Sequence, residues 1–297
     1  MSEVRVLVTG STGLIGSHLC RELLQAGHEV MSLSRSSRAD AGGVWHLQAD
    51  VTSIEARTFA AKAQTIVHLA GLSDASLSFH RPLDYATTNA HGALNMLEAA
   101  RAQGAHFVLA SSQRVYRPGS SALREDSPLH PVDAYGYSKL VAEMWCRMYQ
   151  QVYAIPVTIF RFFSVYGPGQ RLTGGTSGVV NIFVDRALAG LDLVARQNVL
   201  RDFTYVSDVT AALREVIEHP KGGTFNVATG VATSVVDLAH LVKEVAGGAG
   251  DVIEEAGDDA VSYVADISKA RQVLGYEPQV SLREGLQRYV RWARQTT

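Results

Sequence analysis

The sequence has little of several residue patterns that mark whole classes of protein. Its 297 residues include two cysteines, Cys20 and Cys146, and neither belongs to a CxxC motif or a Cys/His cluster. We therefore expect no metal site, and two reduced thiols favour a cytoplasmic protein. No apolar run reaches the ~18 residues that a membrane span needs. A net charge of −2 gives no basic surface for nucleic acid or for an anionic membrane.

The composition can bury a substantial core, because 46% of the residues are hydrophobic and 19% are charged. Short apolar segments alternate with longer amphipathic segments in the first half of the chain. Predicted strands span residues 4–8, 29–33, 44–47, 65–69, 106–109 and 156–160, and predicted helices span residues 14–26, 84–102 and 135–153. Strands that alternate with helices predict an α/β fold, with a doubly wound parallel sheet covered by helices on both faces.

A glycine-rich turn, Thr9-Gly10-Ser11-Thr12-Gly13-Leu14-Ile15-Gly16, joins the first predicted strand to the first predicted helix. Gly10 permits a tight turn, Gly13 lets the backbone approach a pyrophosphate, and Gly16 lets the helix pack close to the strand. The helix N-terminus adds unpaired N–H groups and a positive dipole end. In this strand–turn–helix context the motif predicts a Rossmann-type domain that binds a dinucleotide.

The end of the second predicted strand bears on the choice between NAD and NADP. A carboxylate there would bind the ribose 2′-hydroxyl of NAD, and the segment from Leu33 to Arg38 contains none. Arg35 and Arg38 could instead hold the 2′-phosphate of NADP, or they could be solvated loop residues. Asp50, after the third strand, could contact the adenine or be an ordinary aspartate at a strand end.

The second half of the chain alternates less regularly. It contains a glycine-rich loop at residues 168–178, a predicted strand at 224–227, and predicted helices at 234–246 and 281–294. We predict that residues 1–165 form the dinucleotide-binding domain and that residues from about 220 to 245 return to it. Residues 166–220 and 246–297 would form a smaller C-terminal substrate-binding lobe.

Tyr135 and Lys139 lie four residues apart in a predicted helix, so they share one face. A phenol normally ionises near pH ~10, and a nearby ammonium and a nicotinamide ring would lower the pKa of Tyr135. Tyr135 could then remove a hydroxyl proton while hydride leaves the same carbon. Ser111 and Ser112 follow the fifth strand, at the sheet edge that faces a bound cofactor, where a hydroxyl can orient the reacting oxygen.

Further motifs follow in a fixed order along the chain. They are His68-Leu69-Ala70, Asn89-x-x-Gly92-x-x-Asn95, Ser111-Ser112-x-x-Val115-Tyr116, Tyr135-x-x-x-Lys139, Val165-Tyr166-Gly167-Pro168-Gly169-Gln170, Arg201-Asp202-Phe203-x-Tyr205-Val206 and Asp266-x-Ser268-Lys269-Ala270. Together they resemble the short-chain dehydrogenase/reductase superfamily, in its extended branch of nucleotide-sugar epimerases and dehydratases. The resemblance covers nearly the whole chain. It favours NAD slightly over NADP, because redox-neutral members of the branch keep a tightly held NAD.

The resemblance also implies roles for individual residues and a homodimer formed through the helices at 84–102 and 135–153. The catalytic residues would be Ser112, Tyr135 and Lys139. The cofactor-binding residues would be Gly10, Thr12, Gly13, Leu14, Ile15, Gly16, Ser34, Arg35, Asp50, Val51, Leu69, Ala70, Gly71, Asn89, Tyr135 and Lys139. The substrate-binding residues would be Ser111, Ser112, Gln113, Ser164, Asn181 and Arg201. Arg201 would bind the diphosphate of a UDP-, dTDP- or GDP-linked sugar, since a guanidinium suits phosphate oxygens.

The chain departs from the pattern of that branch at several positions. Gln113-Arg114 stands where 4,6-dehydratases carry an Asp-Glu pair, which disfavours ordinary 4,6-dehydration. Ser164 replaces an asparagine that contacts the substrate phosphate, and Arg117 replaces a glycine. Glu255 stands near the place of an arginine that precedes Gly257-Asp258.

Four functional hypotheses remain open at this point. The leading one is a redox-neutral 4-epimerase of nucleotide sugars that works through a transient 4-keto intermediate. The second is a nucleotide-sugar dehydratase with a different acid and base. The third is an NADPH-dependent reductase of 4-keto sugars, which Arg35 motivates. The fourth is a non-catalytic dinucleotide sensor, although such proteins often lose the Tyr/Lys pair that this chain keeps.

Overall fold

The computed structural model describes residues 3–36, 43–119, 122–170, 178–256 and 262–296. Arg38, Gly257-Asp258 and most of the predicted loop at 168–178 lie outside these residues. Within the described part, seven strands form a central parallel sheet. They are β1 Arg5–Thr9, β2 Glu29–Ser34, β3 Val44–Gln48, β4 Thr65–His68, β5 His106–Ser112, β6 Val157–Phe162 and β7 Gly223–Val227.

The strand order is β7-β6-β5-β4-β1-β2-β3, and every neighbouring pair is parallel. The order reverses between β1 and β4, so the chain leaves these two strands toward opposite sides and opens a crevice at their carboxyl ends. Both strands are buried almost throughout, as expected of β-branched and apolar segments covered on both faces. The predicted doubly wound fold is confirmed.

The helices are α1 Leu14–Gln25, α2 Ile54–Ala60, α3 Ala75–Ser78, α4 Pro82–Tyr85, α5 Gly92–Gln103, α6 Ala134–Tyr153, α7 Val179–Leu188, α8 Val206–Glu218, α9 Val235–Ala246, α10 Ser268–Leu274 and α11 Leu282–Thr296. One core joins α1 and α8 to one face of the sheet. A second core joins α2, α5 and α6 to the other face. No helix of the described segments is long and apolar enough to span a bilayer.

The helix predicted at residues 84–102 is divided into three segments. α4 is followed by a π-helical segment, Ala86–His91, and then by α5. Such π segments insert a residue into the helical ladder and occur frequently at functional sites. Asn89 lies within this one and is buried against the segment after β4 and against α6. Gly104, in a left-handed conformation, ends α5.

A third core belongs to the smaller lobe and contains α7, α9 and α11. Short strand pairs accompany it, Leu193–Arg196 with Val252–Glu255 and Leu200–Arg201 with Thr233–Ser234. The packing differs from the predicted domain boundaries at two helices. α8 was predicted to lie in the lobe but packs on α1, and α9 was predicted to return to the first domain but packs on α7. The apolar face of each helix determines which helix it packs against. The sequence does not reveal that partner, because it lies far away along the chain.

Candidate active site

The turn after β1 is shaped for a close approach of backbone to a ligand. Gly10 has φ +66°, and a Cβ added to it would lie 2.8 Å from the nitrogen of Ala70. A Cβ added to Gly16 would lie 2.4 Å from the carbonyl oxygen of Gly10. α1 begins directly after Gly13, which caps it without a side-chain hydrogen bond. The N–H groups of its first turn are therefore suited to hold a pyrophosphate.

A cleft of about 640 Å³ lies over the carboxyl ends of β1, β4, β5 and β6. The predicted site residues that line it are Gly10, Gly13, Leu14, Ile15, Gly16, Leu69, Gly71, Ser111, Ser112, Gln113, Tyr135, Lys139, Ser164, Asn181 and Arg201. A cavity of about 250 Å³ adjoins it and shares part of the glycine-rich turn. Its lining adds Thr12, Ser34, Arg35, Asp50, Val51 and Ala70. The structure thus brings the predicted cofactor and substrate residues to one edge of the sheet.

The smaller cavity has the features expected around the adenosine half of a dinucleotide. The carboxylate of Asp50 accepts hydrogen bonds from the nitrogen and the hydroxyl of Thr52, at 2.9 and 2.7 Å. Burial would raise the pKa of Asp50, but these hydrogen bonds and the charge of Arg35 outweigh it and lower the pKa below its ordinary value. The hydroxyl of Ser34 donates to the carbonyl of Ser36. Arg35 is exposed, so its side chain can reach a ribose substituent.

Asn89 is the one predicted cofactor residue that lines neither cavity. Its Oδ1 accepts from the nitrogen of Leu72 at 2.8 Å, and its Nδ2 donates to the Leu72 carbonyl and to the hydroxyl of Ser138. A Cβ on Gly71, which does line the cleft, would lie 2.8 Å from Asn89 Oδ1. Asn89 therefore supports the wall of the cleft through Leu72 and Ser138, and its direct contact with a cofactor stays a prediction.

Tyr135 and Lys139 lie on α6 with their polar atoms turned toward the end of β5. Lys139 is 5% exposed, and its ammonium donates to the carbonyl of Ala110 at 2.8 Å. Burial lowers the pKa of Lys139 to about 8. Burial also raises the pKa of Tyr135, against a hydrogen bond from Ser112 and the charge of Arg114. The sequence predicted that Lys139 opposes this rise, whereas in the protein alone Ser112 and Arg114 are the groups that do so.

Arg114 fixes the start of α6, the helix that carries Tyr135 and Lys139, a role that the sequence did not reveal. Its guanidinium donates to Asp133 Oδ2 at 2.8 Å, while Asp133 Oδ1 caps α6 by accepting from the nitrogen of Gly136 at 2.7 Å. A Cβ on Gly136 would lie 2.4 Å from the Arg114 carbonyl oxygen. The helix that carries Tyr135 is therefore held tightly against the segment that follows Ser112.

Arg114 and Arg201 give the cleft two cations. Their guanidinium carbons lie 5.7 and 5.6 Å from the centre of the Tyr263 ring. Burial, followed by the charge of Arg114, lowers the pKa of Arg201 to about 10, so Arg201 still carries its charge at neutral pH. Both arginines line the cleft. This end of the cleft is therefore suited to an anionic group such as a diphosphate.

The remaining predicted substrate residues differ in the protein groups that contact their polar atoms. The hydroxyl of Ser111 is bound by the protein, since it donates to buried Glu143 at 2.6 Å. Gln113 is 8% exposed, its Nε2 lies 3.5 Å from Ser164 Oγ, and its Oε1 has no hydrogen-bond partner among the described residues. Asn181 Oδ1 accepts from the phenol of Tyr289 at 2.6 Å. Ser164 has φ +20°, a strained conformation of the kind found at functional sites.

Comparison with known proteins identifies the family to which this chain belongs. The family model of the NAD dependent epimerase/dehydratase family matches residues 6–228. The chain belongs to that family. The family predicted from the sequence motifs is confirmed, and because the family is NAD dependent, the preference for NAD over NADP is confirmed with it.

Members of the epimerase/dehydratase family with different activities resemble this chain over its length. The UDP-glucose 4-epimerase of Mycolicibacterium smegmatis is 34% identical, across 98% of this chain and 99% of the relative. UDP-glucuronic acid decarboxylase 1 of Xenopus tropicalis is 30% identical, across 98% of this chain and 72% of the relative. The solved UDP-glucose 4-epimerase of Thermus thermophilus, a complex with NAD, has a TM-score of 0.87 at 29% identity, across 99% of this chain and 100% of that chain.

Proposed function

We propose that this family member is an NAD-dependent 4-epimerase of a UDP-linked sugar. The observation that carries the proposal is the cluster of Ser112, Tyr135 and Lys139 beside the glycine-rich turn, at the edge of the sheet where dinucleotides bind. The 4-epimerases among the relatives support the reaction type and the uridine nucleotide. The experiment below therefore also includes dTDP- and GDP-linked sugars.

Each of the three residues has a distinct task in this proposal. Ser112 orients the reacting hydroxyl, Tyr135 removes its proton as the base, and the ammonium of Lys139 stabilises the phenolate by its charge. Bound NAD supplies the hydride acceptor, and the positive charge of its nicotinamide ring favours the phenolate. Tyr135 returns the proton when the ketone is reduced on its other face. The site is thus restored, and no net oxidation or reduction takes place.

The residues after Ser112 favour epimerisation over dehydration. Dehydration next to a ketone needs an acid for the leaving hydroxyl and a base for the neighbouring proton. Gln113 has no titratable group, and Arg114 is bound to Asp133. Both carboxylate oxygens of Asp133 are engaged, one by Arg114 and one by the start of α6. Gln113, Arg114 and Asp133 therefore do not supply an acid and base pair.

Mass spectrometry of the products tests the reaction type. Purified protein with NAD is incubated with UDP-, dTDP- and GDP-linked hexoses, N-acetylhexosamines and hexuronic acids, without added reductant. A new isomer of unchanged mass, absent with Tyr135→Phe, is the expected result with a UDP-sugar. A product lighter by one water indicates a dehydratase, and one lighter by carbon dioxide a decarboxylase. In a separate incubation with a 4-keto-sugar nucleotide and added NADPH, net consumption of NADPH indicates a 4-keto-sugar reductase. Each of these outcomes overturns the epimerase proposal.

We further propose a homodimer formed through the helices predicted at residues 84–102 and 135–153, in which α6 and the neighbouring α4 present exposed apolar side chains. Tyr137, Val141 and Met144 are spaced three or four residues apart on one face of α6 and are 51%, 38% and 58% exposed. Leu83 of α4, which packs beside α6, is 79% exposed. The sedimentation coefficient is expected to be that of a dimer, and Val141→Glu with Met144→Glu should give a monomer. A wild-type monomer at micromolar concentration contradicts the proposal.

A cytoplasmic location is proposed on the state of the cysteines. Cys20 and Cys146 are both buried, reduced thiols. Reduced thiols are typical of proteins in a reducing compartment. Fractionation of the source cells, followed by detection of the protein, tests this location.

A further inference from the structure

We infer that Glu143 is a positioning residue, which sets the alignment of the end of β5 with α6 and through it the geometry of Ser112 and Tyr135. The inference rests on the proposed function for its kinetic test. Glu143 lies one helical turn after Lys139 and is fully buried. None of its atoms is needed for the proton transfer itself.

Three consecutive residues of β5 each contact a different turn of α6. The carbonyl of Ala110 accepts from Lys139 at 2.8 Å, and the hydroxyl of Ser112 contacts the phenol of Tyr135. Between them in sequence, Ser111 donates to Glu143 Oε1 at 2.6 Å. The three α6 residues are spaced by four positions and lie on one face of the helix. The Ser111–Glu143 hydrogen bond therefore ties β5 to α6 at the residue just before the one that contacts substrate.

Glu143 can act as a fixed anchor because it is itself held from a third element. Arg161 of β6 donates to both of its carboxylate oxygens, at 2.9 and 2.7 Å, and is 1% exposed. Arg161 is also the register partner of Ser111 in the sheet. Its guanidinium is held in turn by the carbonyl of Glu125 and by the ring of Tyr116, whose centre lies 4.6 Å away. A bidentate pair of this kind has one well-defined geometry.

The position of Ser112 matters because proton transfer requires hydrogen-bond distances between reacting groups. A misplacement of ~1 Å can reduce turnover by about 100-fold while binding is preserved. Loss of the Ser111–Glu143 bond leaves the end of β5 held to α6 by the Lys139 ammonium at Ala110 and by the contact of Ser112 with Tyr135. We therefore expect Ser112 to shift relative to Tyr135, without a change in the glycine-rich turn that holds the cofactor.

The kinetic test compares Glu143→Gln and Ser111→Ala with the control Glu98→Gln. Glu98 of α5 accepts hydrogen bonds from Arg101 and from Tyr149 of α6, so the control also removes a contact of α6 but leaves the Ser111–Glu143 bond in place. For both test variants kcat is expected to fall by about 10- to 100-fold, with KM for the UDP-sugar and Kd for NAD within about twofold of wild type. The control should retain the wild-type kcat. An unchanged kcat in both test variants overturns the inference.

A second measurement keeps the inference testable if Glu143→Gln folds poorly or if no sugar nucleotide is turned over. Tyrosine labelled with ¹³C at Cζ reports the hydrogen bonding of the Tyr135 phenol, and Tyr135→Phe assigns its signal. Ser111→Ala, a small change inside a strand end, should shift that signal, and Glu98→Gln should leave it unchanged. An unmoved signal in Ser111→Ala contradicts the positioning role. Absence of turnover in the wild type would instead contradict the proposed function alone.

Discussion

The cofactor end of the cleft is built mainly from backbone, whereas its sugar end is built from side chains that distant segments supply. The glycine-rich turn, the start of α1 and the end of β4 come together through local geometry and strand pairing. Arg201, Ser164 and Gln113 come from three separate segments and meet only in the folded chain. The difference implies that substitutions at the cofactor end act through steric fit, and those at the sugar end through charge and hydrogen bonding.

The largest effect is expected at the point where the two ends meet. Tyr135→Phe removes the base and leaves a ring of nearly the same shape beside Tyr85. General base catalysis contributes about 10²- to 10⁴-fold, so kcat should fall by that factor while NAD binding is unchanged. Steady-state kinetics and titration of NAD measure the two quantities. A kcat near the wild-type value would require another base and would end the assignment.

At the cofactor end, Gly10→Ala is expected to weaken NAD binding severely. The substitution places a methyl group 2.8 Å from the Ala70 nitrogen, at a φ of +66°. Gly27→Ala is the matched control, because Gly27 has φ +83° and an added Cβ there meets nothing within 4 Å. Both variants should lose about 1 kcal/mol or more of the free energy of unfolding. Only Gly10→Ala should also raise Kd for NAD, and equal Kd values in the two variants would refute the steric account.

At the sugar end, Arg201→Met is expected to raise KM for the UDP-sugar and leave Kd for NAD unchanged. The methionine keeps packing volume beside Tyr263 but cannot donate hydrogen bonds to a diphosphate. A charge-assisted hydrogen bond contributes about 1.5–3 kcal/mol, which corresponds to roughly 10- to 100-fold in KM. Arg114→Met offers a contrast, since Arg114 also holds Asp133 and should affect kcat as well. If Arg201→Met lowers only kcat, Arg201 does not bind the diphosphate.

The same contrast separates what sequence could predict from what it could not. The roles of Gly10 and Gly16 were predictable, because a tight turn between strand and helix is encoded within a few residues. The protein partners of Asn89 and Ser111 were not predictable, because Ser138 and Glu143 lie 49 and 32 positions away along the chain. A sequence motif shows where a polar residue lies along a strand or helix. It does not show whether its polar atoms face the ligand or the core.

The low pKa of Lys139 is expected to have a smaller effect, on how the free energy of unfolding depends on pH. In the folded protein burial lowers this pKa to about 8, from an ordinary value of 10.5. Between these values the unfolded chain binds more protons than the folded one, so this residue makes stability rise as pH increases from about 8 to 10.5. Urea unfolding at pH 7.5 and at pH 10, for wild type and Lys139→Met, isolates this contribution. A wild-type stability that rises no more than that of the variant would contradict the burial of a charged Lys139.

The smallest effect is expected for Ser164→Asn. This variant tests whether residue 164 affects sugar binding by contacting the substrate or by leaving room for it. Asparagine tolerates a positive φ better than serine does, so the variant should gain less than ~1 kcal/mol in the free energy of unfolding. Its longer amide can also approach a substrate phosphate, which should lower KM for the UDP-sugar. Ser164→Ala is the control, since it removes the hydroxyl beside Gln113 and adds no contact. A higher KM in Ser164→Asn would mean that this position selects its sugar by leaving room, because the added atoms would then exclude the substrate.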